Sequence, residues 1–368
     1  HTLFRFVISQ RDTLPSWQYL LAFFILQRTA RCQRMNILRH SLFLCLNMGK
    51  EGCFSMLRMD IVTERRIKMT YKEFEMQVKT YLEENLGADV TVSTYTARKN
   101  NQTLCQGLLI EDASDGERFS ASPVIYLDDF YRDLCNGSSF EEIAKTIYKL
   151  YRNAKQTGDF KLKDLTNFEE LKEKIIYKLI NLDMNKDLLD DIPYIPYLDL
   201  AIVFYCCIAN TDEQTAGFLI HNSHLDLWGI QQNELYKYAH KNTCRLFPYS
   251  LQSVCATLNE MSENLTAPLS VMPEEDLLVL TNQSRIDGAA CILYDNMLEK
   301  IAEVLQEDFY VIPSSIHELL ILRKHLSPEE GGLSELITSV NQTTVLDTDI
   351  LSSHPYYYDR NLHTLKCA

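Results

Sequence analysis

The chain has 368 residues, with 36 Lys and Arg against 50 Asp and Glu, a net charge of −14. That balance repels phosphate backbones and disfavours a nucleic-acid partner. A content of 46% hydrophobic residues suits a packed globular core.

The charge is unevenly spread. Residues 1–68 carry 11 basic and 4 acidic side chains, a balance of +7, which leaves −21 on the 300 residues from Met69 onward. Basic type changes at the same point, from mostly Arg before Met69 to mostly Lys after it. The apolar bursts of the first stretch, Tyr19–Leu26 and Leu42–Leu46, are too short to span a bilayer. A secretory signal is the rival reading, since Arg5 and Arg11 precede an apolar run, but no small-residue cleavage site follows it. Codons allowed by Glu64-Arg65-Arg66-Ile67-Lys68-Met69 include AGG-AGG ahead of ATG, the spelling of a bacterial ribosome-binding site. Residues 1–68 are therefore expected to be a non-native leader, with the working protein starting at Met69.

From there Thr70-Tyr71-Lys72-Glu73 has capping-box form, and Phe74, Val78, Tyr81 and Leu82 recur at helical spacing until Gly87. Val90 and Val92, turn residues Lys99-Asn100-Asn101 and Thr103 to Ile110 read as a hairpin, with Pro123 to Leu127 as a third strand. Helices are expected over Ser139 to Asn153 and Asn167 to Leu182. Asp187, Asp190, Asp191, Pro193 and Pro196 break both periodicities, marking 184–197 as a linker between an N-terminal half, 69–183, and a C-terminal half, 198–342. The nearly continuous apolar run Leu198 to Ile208 reads as a strand buried on both faces, turning into Gly217 to Ile220. Helices follow at Asn233 to Lys241, Leu251 to Met261, Asn296 to Leu305 and Leu333 to Val340. Strands are expected at Leu277 to Thr281, Ala289 to Tyr294, Phe309 to Ile312 and Leu319 to Leu322. Pro355-Tyr356-Tyr357-Tyr358, in a tail covering 343–368, suggests an edge strand or a docking segment. The expected class is α+β, with mixed or antiparallel sheets and packed helices in two closely associated halves.

No phosphate loop, G-x-G-x-x-G, G-x-S-x-G or H-E-x-x-H occurs from Met69 onward. Eight cysteines in this part, Cys105, Cys135, Cys206, Cys207, Cys244, Cys255, Cys291 and Cys367, show no C-x-x-C or zinc-type spacing. They read as small buried hydrophobes of a reducing compartment, so the expected location is the cytoplasm, away from membranes. The best candidate cluster is His221, Asn222 and His224 together with Ser314, Ser315, His317 and Glu318, each group at the end of an expected strand. As a metal site, His221, His224 and His317 or Glu318 would supply the nitrogen and oxygen ligands zinc accepts. The structural alternative makes Asn222 and Ser223 helix caps and leaves the histidines hydrogen-bonded to nearby carbonyls. Activation of Ser314 or Ser315 by His317 is disfavoured, because residues so close in one turn do not easily align with a third orienting group. Pro313 ending the strand and Glu318 bonding back to a free N–H is the structural account there. No cofactor is expected beyond that zinc option. Tyrosines such as Tyr194, Tyr197, Tyr236 and Tyr238 fit a protein interface as well as a core.

The strings Phe218-Leu219-Ile220-His221-Asn222-Ser223-His224-Leu225, Leu227-Trp228-Gly229, Leu280-Thr281-Asn282, Gly288-Ala289-Ala290, Phe309 to Glu318, Asn341 and Leu351 to Tyr358 carry a resemblance. Over about Met69 to Tyr358 the chain resembles an uncharacterised domain-of-unknown-function family of anaerobic, Firmicutes-type bacteria, often carried on mobile elements. The resemblance implies a start near Met69 and a shared site at His221-Asn222 and Ser314-Ser315-His317-Glu318, and it implies no activity. Two functions follow as expectations: a non-enzymatic cytoplasmic accessory protein binding another protein, or a metal-dependent hydrolase using His221, His224, His317 and Glu318.

Overall fold

A computed structural model describes residues 69–112, 124–135, 137–157, 167–210, 215–254, 256–257, 277–328 and 331–368. The proposed leader, 1–68, lies outside the described residues.

The chain opens with α1 (Tyr71–Leu86), whose Thr70 and Glu73 form the expected reciprocal cap, and Gly87 ends it at φ 101. Its apolar stripe, Phe74, Val78 and Leu82, is fully buried. Strands β1 (Val90–Arg98) and β2 (Leu104–Asp112) form the expected hairpin, and β3 (Val124–Tyr126) pairs antiparallel with β2. Helices α2 (Asp128–Cys135) and α3 (Phe140–Thr157) complete this unit. Val92, Leu108, Ile110, Ile143 and Ile147 join the α1 stripe in a core of their own.

A helical turn, Phe168–Leu171, and a 3₁₀ turn, Lys172–Lys174, lead into β4 (Ile175–Asn181). The expected helix over Asn167 to Leu182 is thus overturned for most of its length. A continuous apolar run satisfies either periodicity, and burial on both sides decided in favour of the strand. Ile175, Tyr177 and Leu179 face the main core, whereas Ile176 and Ile180 face two smaller clusters on the opposite side.

Strand β5 (Tyr194–Tyr197) and β6 (Leu200–Asn210) follow, then β7 (Thr215–Leu219). β4 lies along one side of β6, and β5 and β7 lie in tandem along the other. The 184–197 stretch runs through the turns after β4 into β5, and so joins two strands of one sheet: Asp187, Asp190 and Asp191 lie in the turns and Pro196 within β5. The division between separate cores falls earlier, between Tyr151 and Phe168.

After α4 (Asn222–Trp228) and α5 (Gln232–Leu246) come β8 (Tyr249–Ser253) and β9 (Leu277–Asn282). Residues 251–253 are thus strand, against the expected helix there. Gly288–Leu293 is a 3₁₀ segment where a strand was expected, because its small residues pack a tight turn against β9 and β11. Helix α6 (Met297–Leu305), β10 (Phe309–Ser315), β11 (Glu318–Arg323), α7 (Gly332–Thr343), β12 (Tyr356–Asp359) and β13 (Thr364–Cys367) complete the chain.

These strands make a six-stranded antiparallel sheet in the order β13-β12-β10-β11-β9-β8. Strict alternation buries both of its faces. Leu278, Leu280, Phe309, Val311, Leu319 and Ile321 meet the four-stranded sheet, α5 and α6. Leu277, Val279, Ile312, Leu320 and Leu322 meet α7. Each such side chain contributes about 2 kcal/mol of transfer free energy. The supposed tail belongs to this sheet: Tyr356 and Tyr358 are buried, and β12 is an interior strand, not an edge. The fold is α+β with antiparallel pairing throughout the described sheets.

Candidate functional site

The two sequence-predicted groups stand at different turns. His221 precedes α4 as its N-cap residue, and its backbone N–H donates to His224 Nδ1 at 2.9 Å. The His224 ring stacks on Trp228, with centroids 5.4 Å apart, and touches Phe218. Burial, aided by the neighbouring His221, holds the His224 pKa below its usual value. The backbone N–H of Asn222 donates to the Asp191 carbonyl at 3.0 Å, while its side chain is exposed. The capping side chain is thus His224, three residues into the turn, and not Asn222 or Ser223.

The second group occupies the β10–β11 hairpin. Register shifts between Pro313 and Ser315, so that Pro313 opposes Leu319 and Ser315 opposes Glu318. In a regular strand Ser314 and Ser315 would point to opposite faces, but this bulge turns both hydroxyls onto one carboxylate. Ser314 Oγ donates to Glu318 Oε1 at 3.2 Å and Ser315 Oγ to the same atom at 2.9 Å, all three residues being buried. Pro313 is tolerated because β12 pairs only with Phe309 to Val311, leaving no ladder bond for the missing N–H to make.

Distant segments complete this turn. His317 N–H donates to Ser315 Oγ, and Thr281 Oγ1 donates to the His317 carbonyl at 2.8 Å. Asp287 N–H donates to His317 Nδ1 at 3.1 Å, which places the ring proton of the neutral form on Nε2, 3.6 Å from Asp349 Oδ2. Ile316 donates its N–H to the Asp349 carbonyl and accepts one from Ala289. Asp287 holds a left-handed backbone (φ 53) that Asp tolerates. At Gly288 a Cβ would collide with Thr281 Oγ1 and lie 2.5 Å from the His317 carbonyl. The carboxylate of Asp287 pairs with Lys178 at 2.7 Å, and the Lys178 ammonium lies 4.0 Å over the Tyr205 ring. Burial pushes the Lys178 pKa down, but Asp287 and Tyr205 outweigh it and hold the lysine charged.

Lys178, Asp287, Asp349 and Thr281 were not among the sequence candidates. One signal could have found the first, since Lys178 is the only charge inside the apolar strand Ile175–Asn181. Among the described residues, no group of three His, Cys, Asp or Glu side chains is disposed to hold a metal ion. The hydrolase reading required His221, His224, His317 and Glu318 to converge. They belong instead to two separately wired turns, with both His317 nitrogens directed at protein groups and Glu318 engaged by two serines.

These features define an antiparallel α+β protein in which a buried hairpin turn is wired to distant segments. The chain belongs to the DUF5688 family, a family of unknown function, whose model matches residues 71–360. No curated protein and no solved structure matches it.

Proposed function

We propose that the protein is a non-enzymatic accessory protein that acts by binding another protein, in the cytoplasm of a bacterium and in the setting of a mobile element. The carrying observation is that His224 Nδ1, the Ser314 and Ser315 hydroxyls, both His317 ring nitrogens and Glu318 Oε1 are each directed at other groups of the protein. A catalytic acid, base or nucleophile needs a face turned to substrate. The net charge of −14 favours a basic partner surface. No helix among the described residues is long and apolar enough to cross a membrane. The bacterial and mobile-element setting rests on the sequence resemblance alone.

The test joins metal analysis of the purified protein to a hydrolase screen on the parent and a His221→Ala, His224→Ala variant. The expected result is no stoichiometric metal and the same background turnover in both proteins. Stoichiometric zinc or ester hydrolysis that disappears in the variant would overturn the binding reading. Crosslinking in the native host, with the full chain as bait, should then give one reproducible basic partner that re-forms a complex from purified components.

A further inference from the structure

The tip of the β1–β2 hairpin is clamped onto the rest of the molecule. Asn101 N–H donates to Asn185 Oδ1 at 2.7 Å, and Asn185 Nδ2 donates back to Asn101 Oδ1 at 2.9 Å. Asn100 Nδ2 reaches the Thr348 carbonyl, and Asn101 Nδ2 the carbonyls of Asp347 and Ile350, each at 2.7 Å. The tip also packs against β4. Lys99, at the start of the tip, is thereby brought to the side of the four-stranded sheet that carries Lys178.

Each lysine lies over a tyrosine: Lys99 Nζ is 3.6 Å from the Tyr126 ring centroid, and Lys178 Nζ is 4.0 Å from that of Tyr205. The groups that act on the Lys99 charge are Cys105, Lys178 and Tyr95, none of them a carboxylate. Burial and repulsion from Lys178 hold the Lys99 pKa below the usual lysine value. The two phenols are near enough to act on each other, and burial raises both of their pKa values, so they stay protonated and able to donate.

We propose that Lys99 and Lys178, with Tyr126 and Tyr205 beneath them, form a binding site for a phosphate-class oxyanion carried on a small molecule. Lys178 pairs with Asp287 and Lys99 with no carboxylate among the described residues, so two ammonium groups meet a single carboxylate within an acidic protein. An ammonium donates several hydrogen bonds and accepts none. Lys178 directs one donor to Asp287, whereas Lys99 has no carboxylate partner among the described residues. A tetrahedral oxyanion, with acceptors in several directions, matches this donor surplus better than a flat carboxylate. The clamped tip fixes Lys99 before binding, which lowers the ordering cost. This site stands apart from the protein-binding reading, and either can fail without the other.

Isothermal titration of the full chain with inorganic phosphate, phenyl phosphate and acetate at one ionic strength tests it. Saturable phosphate binding is expected, weakened at least tenfold by Lys99→Met, largely kept by Lys99→Arg, and stronger than acetate binding. Tighter binding of phenyl phosphate than of inorganic phosphate would identify a monoester as the source; the reverse order would identify free phosphate and overturn the small-molecule carrier. No saturable phosphate binding, or binding that Lys99→Met leaves unchanged, would overturn the site. If Lys99→Met melts earlier than the parent, Lys99→Gln carries the same comparison.

Discussion

The two histidine-bearing turns differ in where their partners come from. At α4, His221, His224 and Trp228 meet at spacings of three and four residues, and the Asn222 N–H to the Asp191 carbonyl adds one distant bond. At the β10–β11 hairpin, His317 and its neighbours depend on Thr281, Asp287, Ala289 and Asp349. A turn closed mostly by its own neighbours can be altered with less effect elsewhere, whereas a turn closed by several distant segments ties their stabilities together.

Gly288→Ala should therefore have the largest effect. Its Cβ would force apart β9 and the hairpin, with an expected loss of about 3 kcal/mol in urea unfolding. A loss below about 1 kcal/mol would show that the hairpin is less tightly bound to β9 than its contacts require. Next is Lys178→Met, which leaves the Asp287 carboxylate unpaired with under a fifth of its side chain exposed. About 2.5 kcal/mol should be lost, and Asp287→Asn in the same background should restore part of it in a double-mutant cycle. Additive effects would mean that the pair contributes no coupling.

Glu318→Ala removes the acceptor that two buried serine hydroxyls share and should lower stability by about 2 kcal/mol, with Glu318→Gln recovering more than half. Equal losses for the two variants would place the effect in packing and not in the hydrogen bonds.

The α4 turn gives the smallest effect. His224→Ala removes one capping acceptor and should cost about 1 kcal/mol. Because burial depresses the folded-state pKa of His224 below the usual 6.5, the unfolded chain binds the proton more tightly. Its contribution is complete above about pH 6.5 and falls as pH drops through that value toward the folded pKa. Urea unfolding of the parent and His224→Gln between pH 7.5 and 5 reads this directly: the parent should show the steeper loss on acidification, and parallel curves would refute the assignment.

The same contrast explains what was legible beforehand. The α1 cap, the β1–β2 hairpin and the apolar strand β6 were readable because each is specified by neighbours in sequence. The helix expected at Asn167 to Leu182 failed because Ile175-Ile176-Tyr177 is apolar without interruption, a pattern that carries no period. The same ambiguity misassigned Ala289 to Tyr294, where small residues fill a tight turn. Tyr356-Tyr357-Tyr358 read as an edge strand or a docking segment because only pairing with β10, far away in sequence, gives it a place inside the sheet.

For the site, the sequence by itself determined that Ser314, Ser315, His317 and Glu318 would share one turn, since they are neighbours in the chain. Tertiary structure decided what that turn is. A bulge turned both serines to Glu318, and Asp287 and Asp349 were brought to His317 from other segments. The hairpin tip carried Lys99 to the sheet that holds Lys178. The physical reason is range: caps, turns and alternation act over a few residues, whereas ion pairs and buried hydrogen bonds join whatever the packed core brings within a few ångströms.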